Sequence, residues 1–282
     1  MEIRTATPDD AEHAFELLSR RSRRAFGVSE VAREHVAQSL ALTSTEGFVG
    51  TQGFASLDAT QTIEIASIDD STNDALYGAV AQRAAERGFD RLHAVVAHGD
   101  APFDSLVRRA GFEHHGDVQR MWRRLDGDLP APAWPEGAAV RTYTDADGLA
   151  VHALLDDAYR AWDETYVPRA HDDWLTWMTS HDGFDPALWF LVERGGELVA
   201  CTLNWREEQR RGWVKDIVVR ADARGQGLAK ALLHHTFHAY AARAAEHVGL
   251  KVETANPTGA LQLYDRVGFV TDHRYGIWVK VL

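Results

Sequence analysis

The 282-residue chain lacks several features that would assign it to common protein classes. It has a single cysteine, Cys201, so it has no internal disulfide and fits a reducing compartment. Nowhere do roughly 18 consecutive apolar residues occur, the minimum for a membrane-spanning helix. The opening Met1-Glu2-Ile3-Arg4-Thr5-Ala6 lacks the apolar run of a secretion signal. A soluble, cytoplasmic protein with no membrane partner is therefore expected. Lysine is scarce, and acidic residues outnumber basic ones 42 to 30, for a net charge of −12. Such a surface repels phosphate backbones, so nucleic acid is not an expected partner and a cationic amine suits it better. What is plentiful is apolar: 45% hydrophobic residues and nine tryptophans, enough for a sizeable core.

The chain repeats itself. Ile3-Arg4-Thr5-Ala6-Thr7-Pro8-Asp9-Asp10 lines up with Val140-Arg141-Thr142-Tyr143-Thr144-Asp145-Ala146-Asp147, each reading as a strand that enters a helix. Arg109-Ala110-Gly111-Phe112 lines up with Arg266-Val267-Gly268-Phe269, and each precedes a strand carrying a tryptophan, Trp122 or Trp278. Self-similarity on this scale predicts tandem domains, 1–126 and 138–282. Between them, 127–137 holds Pro130, Pro132 and Pro135 with Gly127 and Gly137, and reads as a stiff linker. In the second copy, helices are expected over 149–161 and 172–180. A hairpin is expected from 188–192 to 198–205 around Gly195-Gly196, and strands at 213–219 and 249–254. Helices alternating with a mixed sheet predict a three-layer α/β architecture.

Two segments of the second copy carry chemistry. In the first, the β-branched run Ile217-Val218-Val219 turns through Arg224-Gly225-Gln226-Gly227 into a helix starting Leu228-Ala229-Lys230. Gly225 and Gly227 have no Cβ to block a ligand, and the N–H groups of a helix start favour an anion such as a pyrophosphate. In the second, Asn256 is expected to cap a helix with Pro257 at its first position. Ala260, Leu263, Tyr264 and Val267 then form one stripe, and Gly268 ends it. Together these segments resemble the GNAT (GCN5-related) N-acetyltransferases. In that family R-x-x-G-x-G/A, matched here by Arg224, Gly227 and Ala229, binds the coenzyme A pyrophosphate. A helix ending L-Y-x-x-x-G-F, matched by Leu263, Tyr264, Gly268 and Phe269, follows the fifth strand.

The resemblance implies a mixed central sheet flanked by helices in each domain, with acetyl-CoA as cosubstrate. It implies a coenzyme site formed by Ile217, Val218, Val219, Arg224, Gly225, Gln226, Gly227, Leu228, Ala229, Lys230 and Asn256. It also gives Tyr264 the part of protonating the leaving sulfur. Many members carry a glutamate 14 residues before the glycine matched by Gly227. Here that position is Trp213, which cannot accept a proton. Asp216 on the same strand and Glu253 on the facing one are the replacement candidates, with Asp216 preferred, although regular alternation would put Trp213 and Asp216 on opposite faces unless a β-bulge intervenes. Tyr159, Trp162, Asp163 and Glu164 combine aromatics and carboxylates suited to a small-molecule or peptide amine. The expected activity is acetyl transfer to a primary amine by direct attack. The alternatives are a non-catalytic acyl-CoA sensor or scaffold, and acetylation of a mycothiol precursor, whose enzymes share the tandem layout.

The first copy lacks this machinery. Its turn after 62–68 is Asp69-Asp70-Ser71-Thr72-Asn73-Asp74, with no glycine and no cation, and Val107 stands where Tyr264 stands in the second. A structural part is expected for it. His234, His235 and His238 have helical spacing but no cysteine or glutamate in the same turn, so a solvated face rather than a metal site is expected. Cys201 reads as a small buried hydrophobe.

Overall fold

The computed structural model describes residues 3–42, 44–207 and 210–282, so Met1 and Glu2 of the opening segment lie outside it. The elements run β1 (Arg4–Thr5), α1 (Ala11–Phe26), α2 (Arg33–Ala41), β2 (Thr45–Gly50), β3 (Gly53–Asp58), β4 (Thr62–Ser67), α3 (Asp70–Glu86), β5 (Arg91–Ala97), α4 (Ala101–Arg109) and β6 (Glu113–Arg124). The same succession then returns as β7 (Ala138–Thr142), α5 (Gly148–Arg160), α6 (His171–Thr179), β8 (Phe190–Arg194), β9 (Glu197–Glu207), β10 (Arg211–Val219), α7 (Leu228–Ala241), β11 (His247–Glu253), α8 (Ala260–Arg266) and β12 (Val270–Val281). Contacts divide the chain into two units, Met1–Val118 with His273–Leu282, and Gln119–Asp272. The last ten residues thus cluster with the first unit, whereas the sequence reading placed them with the second.

Within the first unit β1, β2, β3 and β4 pair antiparallel in succession, β4 pairs β5 in parallel, and β12 pairs β5 antiparallel from Tyr275↔Ala97 to Val281↔Arg91. Within the second, β7, β8, β9 and β10 pair antiparallel and β10 pairs β11 in parallel. Both units are thus mixed sheets flanked by helices.

The repeat extends to individual hydrogen bonds. Arg4 donates to both carboxylate oxygens of Asp10 at 2.8 and 2.6 Å, and Asp10 also accepts the N–H and hydroxyl of Thr7. Arg141, Asp147 and Thr144 reproduce this arrangement at the start of the second unit. In each case a carboxylate three residues into the turn takes up the backbone donor that opens the helix. At the other end, Phe112 N–H donates to Val107 O at 2.9 Å and Phe269 N–H to Tyr264 O at 3.0 Å, around Gly111 (φ +79°) and Gly268 (φ +92°). Val107 and Tyr264 therefore occupy equivalent places in the two units.

The sheet of the second unit separates two apolar layers. On one face Val214, Leu250 and Val252 pack with Leu232, Phe237 and Tyr264 of α7 and α8. On the other, Val218, Cys201 and Leu203 pack with Leu155, Trp174 and Met178 of α5 and α6 around Trp189, which is fully buried. The Gly195-Gly196 turn between β8 and β9 has φ of +61° and +84°, the left-handed pair that a tight hairpin needs.

Candidate active site

The site starts from an irregularity in β10. Against β9, Val214 pairs with Asn204 and Asp216 with Leu203, so Lys215 is an extra residue in the ladder, a β-bulge. The bulge resets the alternation. Val214, Ile217 and Val219 face the α7/α8 layer, while Trp213 and Val218 face the α5/α6 layer. Asp216 joins that second face and accepts a hydrogen bond from Tyr159 of α5 at 2.6 Å. The bulge thus brings Trp213 and Asp216 to one side. Lys215 Nζ lies 3.4 Å from the other carboxylate oxygen of Asp216 and 5.1 Å from the ring centre of Trp177.

The same region opens the sheet. β10 and β11 are in register from Arg211↔His247 to Val214↔Leu250, and no pairs continue beyond, although β10 runs to Val219 and β11 to Glu253. Strands that part in this way expose backbone N–H and C=O groups to a ligand. Since Ile217, Val218 and Val219 spend their side chains on the two cores, what they offer the gap is backbone.

Glu253 lies at the end of β11, and burial together with the nearby charge of Asp163 pushes its carboxyl up to about 7. Tyr264 of α8 is buried, and burial with the charge of Asp216 pushes its phenol up, so that it remains a proton donor. Tyr159 is pushed up in the same way, chiefly by burial and then by Asp216. Burial also pushes the Cys201 thiol up, which leaves it unreactive and in keeping with the small-hydrophobe expectation.

Beyond Val219 the chain turns through Arg224, whose Nε donates to Val219 O at 3.0 Å. Gly225 (φ +74°) and Gly227 (φ +87°) are left-handed, and a Cβ added to either would meet nothing within 4 Å. Open space over a loop that leads into a 14-residue helix is a cradle for an anionic group. Gln226 accepts a hydrogen bond from Arg194 at 2.6 Å, which brings a second guanidinium to the loop. Leu228 is buried, Ala229 half-buried and Lys230 exposed. The equivalent helix start in the first unit is already occupied. Asp69 caps α3 by accepting from Thr72 N–H at 2.8 Å, and Asp74 is paired with Arg109.

Residues 149–269 match the model of the Acetyltransferase (GNAT) family. This part of the chain is similar to that family. A mycothiol acetyltransferase of Streptomyces coelicolor is 33% identical over 189 residues, covering 64% of this chain and 59% of that protein. One of Acidothermus cellulolyticus is 29% identical, covering 77% and 72%. The chain thus spans under two thirds of the length of the Streptomyces relative. Among solved structures, a GCN5-related N-acetyltransferase from Sphaerobacter thermophilus superposes with a TM-score of 0.73 at 24% identity, covering 99% of this chain and 95% of that one. A tandem GNAT protein from the clavulanic acid biosynthesis pathway superposes with a TM-score of 0.75 at 15% identity, covering 99% and 98%. At these identities the two structures establish the fold, that of tandem GNAT domains. GNAT enzymes in general use acetyl-CoA and act on amine acceptors.

Two expectations are corrected. Asn256 does not cap α8. Its side-chain oxygen accepts the N–H and hydroxyl of Thr258 in a local turn, and the helix starts only at Ala260 because Gly259 (φ +77°) interrupts the helical backbone. Pro257 is accordingly a turn residue. The histidines of α7 form a solvated face only in part, since of the three only His238 is exposed. His234 is buried, and His234 and His238 lie 3.4 and 3.2 Å from the carbonyls of Ala131 and Pro130, while His235 packs edge-on against Phe190. The proline-rich segment 127–137 needs a helix face to lie on, and these side chains supply it. Among the described residues no group of three potential ligands is arranged for a metal ion. No described helix is long and apolar enough to cross a membrane.

Of the expected acceptor residues, Tyr159 meets Asp216 and Asp163 acts on Glu253. Trp162 lies 6.5 Å from Tyr159, ring to ring, and Glu164 is exposed. Sequence reading missed Lys215, Arg194 and Asp156. Only the bulge reveals Lys215, and only the fold brings Arg194 to the loop. Asp156 precedes Tyr159 by three residues on α5, a helical spacing that places both on one side.

Proposed function

We propose that the second unit transfers an acetyl group from acetyl-CoA to the primary amine of a small molecule by direct attack. The observation that carries this reading is the opening between β10 and β11, which begins at the Lys215 bulge and has Asp216, Glu253 and Tyr264 on the elements around it. The loop Arg224–Ala229, with the start of α7, would hold the pyrophosphate. The backbone of Ile217–Val219 would take the pantetheine and polarise the acetyl carbonyl. Asn256, fixed in its turn, would stand beside the coenzyme.

Glu253 replaces the glutamate lost at Trp213. A carboxyl held near 7 accepts a proton from an incoming ammonium far more readily than an ordinary one, and it is half ionised at neutral pH. Asp216, the residue preferred from sequence, has one oxygen taken by Tyr159 and the other beside Lys215. Both of its oxygens are thus engaged, which suits holding Tyr159 and Lys215 in place. Tyr264, kept protonated by burial, gives its proton to the departing sulfur. The buried, unreactive Cys201 supports attack without an acyl-enzyme.

The relatives in Streptomyces and Acidothermus are named mycothiol acetyltransferases, so the cysteinyl amine of a mycothiol precursor is the first acceptor to try. The test is thiol release from acetyl-CoA with that amine and with a broad amine panel. Turnover with any of them supports the reading. Coenzyme binding without turnover favours a sensor or scaffold. We assign the first unit a structural part, because its Asp69 carboxylate fills the helix start that would receive a coenzyme.

A further inference from the structure

The segment 161–170 joining α5 to α6 is tied to the end of α5 and to itself by short hydrogen bonds. The N–H groups of Trp162 and Asp163 both donate to Tyr159 O, at 3.2 and 3.0 Å, and Tyr166 N–H donates to Asp163 O at 3.2 Å. Asp163 Oδ1 accepts the N–H and hydroxyl of Thr165 at 2.8 and 2.7 Å, which fixes the direction of its carboxylate. Two further interactions anchor the segment to α5. The Tyr166 hydroxyl donates to Asp156 Oδ1 at 2.6 Å, and the Tyr166 ring lies nearly parallel to that of Tyr159, 5.3 Å between centres and 20° between planes. Tyr159 is the residue whose hydroxyl reaches Asp216. Asp156 also has Arg160 at 3.7 Å and His152 at 3.9 Å, so its carboxylate is held from three sides.

We propose that Tyr166 and Asp156 are positioning residues for the acceptor. Their hydrogen bond holds 161–170 so that Asp163 faces Glu253 and Tyr159 bears on Asp216, which sets three carboxylates around the place where the substrate ammonium must lie. This inference rests on the acetyltransferase reading above. The charged group acting on Glu253 is Asp163, and Asp216 acts on Tyr159 and Tyr264. Without that bond, the backbone bonds to Tyr159 O and the ring stack persist, but the Tyr166 end of the segment loses its hydrogen bond to α5. The hold on Asp163 then loosens, and with it the charge set against Glu253, while the Arg224–Ala229 loop, which leads into α7 in the other apolar layer, is untouched.

The decisive variants are Tyr166→Phe, which keeps the ring and removes the hydroxyl, Asp156→Leu, the two combined, and Asp156→Asn, which keeps an acceptor oxygen. For Tyr166→Phe the expected result is a roughly tenfold rise in KM for the amine with a smaller fall in kcat. The acid limb of the pH profile should move to lower pH, and acetyl-CoA affinity should stay within twofold. The combined variant should be no worse than Asp156→Leu alone, because both remove one bond, and Asp156→Asn should recover most of the loss. A second measurement is independent of turnover: the titration of Glu253 followed by carbon NMR in labelled protein, whose midpoint should fall in Tyr166→Phe. An unmoved midpoint, or additive losses in the combined variant, overturns the inference. A wild-type protein that acetylates no amine overturns the acetyltransferase reading instead, and leaves the midpoint to decide whether the anchor positions Asp163.

Discussion

Replacing Glu253 with Gln removes one charge and changes almost nothing in shape, so it isolates what that carboxyl does. Moving a carboxyl from its ordinary 4.5 to about 7 corresponds to at most roughly 3 kcal/mol, less whatever solvent reaches the half-buried group. The sign follows from proton binding. Between pH 4.5 and 7 the folded protein holds a proton on Glu253 that the unfolded chain has released, so stability falls as pH rises through that window. The cost is complete above pH 7 and absent below 4.5. The Gln variant should therefore be more stable than wild type at pH 8, by up to about 3 kcal/mol, and equal to it near pH 4. The same change deletes the base, and general-base catalysis contributes about 10²–10⁴-fold. Denaturant unfolding at the two pH values, with thiol release between pH 5 and 9, reads both effects. A Gln variant that keeps over a tenth of wild-type kcat/KM at pH 8, or gains no stability there, refutes the assignment of Glu253.

Calorimetry should find one acetyl-CoA per chain, and Arg224→Glu with Gly227→Glu should abolish it. Like charges in a partly desolvated site cost on the order of several kcal/mol, enough to remove micromolar binding; two sites per chain would contradict the structural part given to the first unit. Tyr264→Phe should lower kcat about 10²-fold while leaving coenzyme affinity unchanged, and an unchanged kcat would remove Tyr264 from the proton path. Cys201→Ala should retain activity with no acetylated protein on mass spectrometry, whereas a trapped acetyl-cysteine in wild type would overturn direct attack.

Much of this was legible in the sequence, for identifiable reasons. The repeat shows because Arg4/Thr7/Asp10 and Arg141/Thr144/Asp147 each form a short local network, and local networks leave regular spacings. The Arg224–Ala229 loop shows because Gly225 and Gly227 must adopt a backbone that few other residues tolerate. Helix spacing placed α5, α6 and α7 to within a residue or two. What stayed hidden depends on distant partners. The choice between Asp216 and Glu253 turns on a hydrogen bond from Tyr159, 57 residues away in sequence, and on the charge of Asp163. Asn256 was misjudged because its residue type suits a cap and a turn equally well, and Gly259 decides between them. His234 looked solvated because nothing in its spacing reveals that Ala131 returns to lie against it.

The membership of His273–Leu282 in the first unit imposes an order on biosynthesis. Trp278 sits in that unit's core, and Lys280 donates to the hydroxyl of Tyr77 and the carbonyl of Ala110. A ribosome makes these residues only after the whole second unit, and until they emerge the edge of β5 from Arg91 to Ala97 has no β12 to pair with. An unpaired edge invites pairing with other chains. Slow translation of the second unit, or a stop codon before His273, would thus endanger the unit made first.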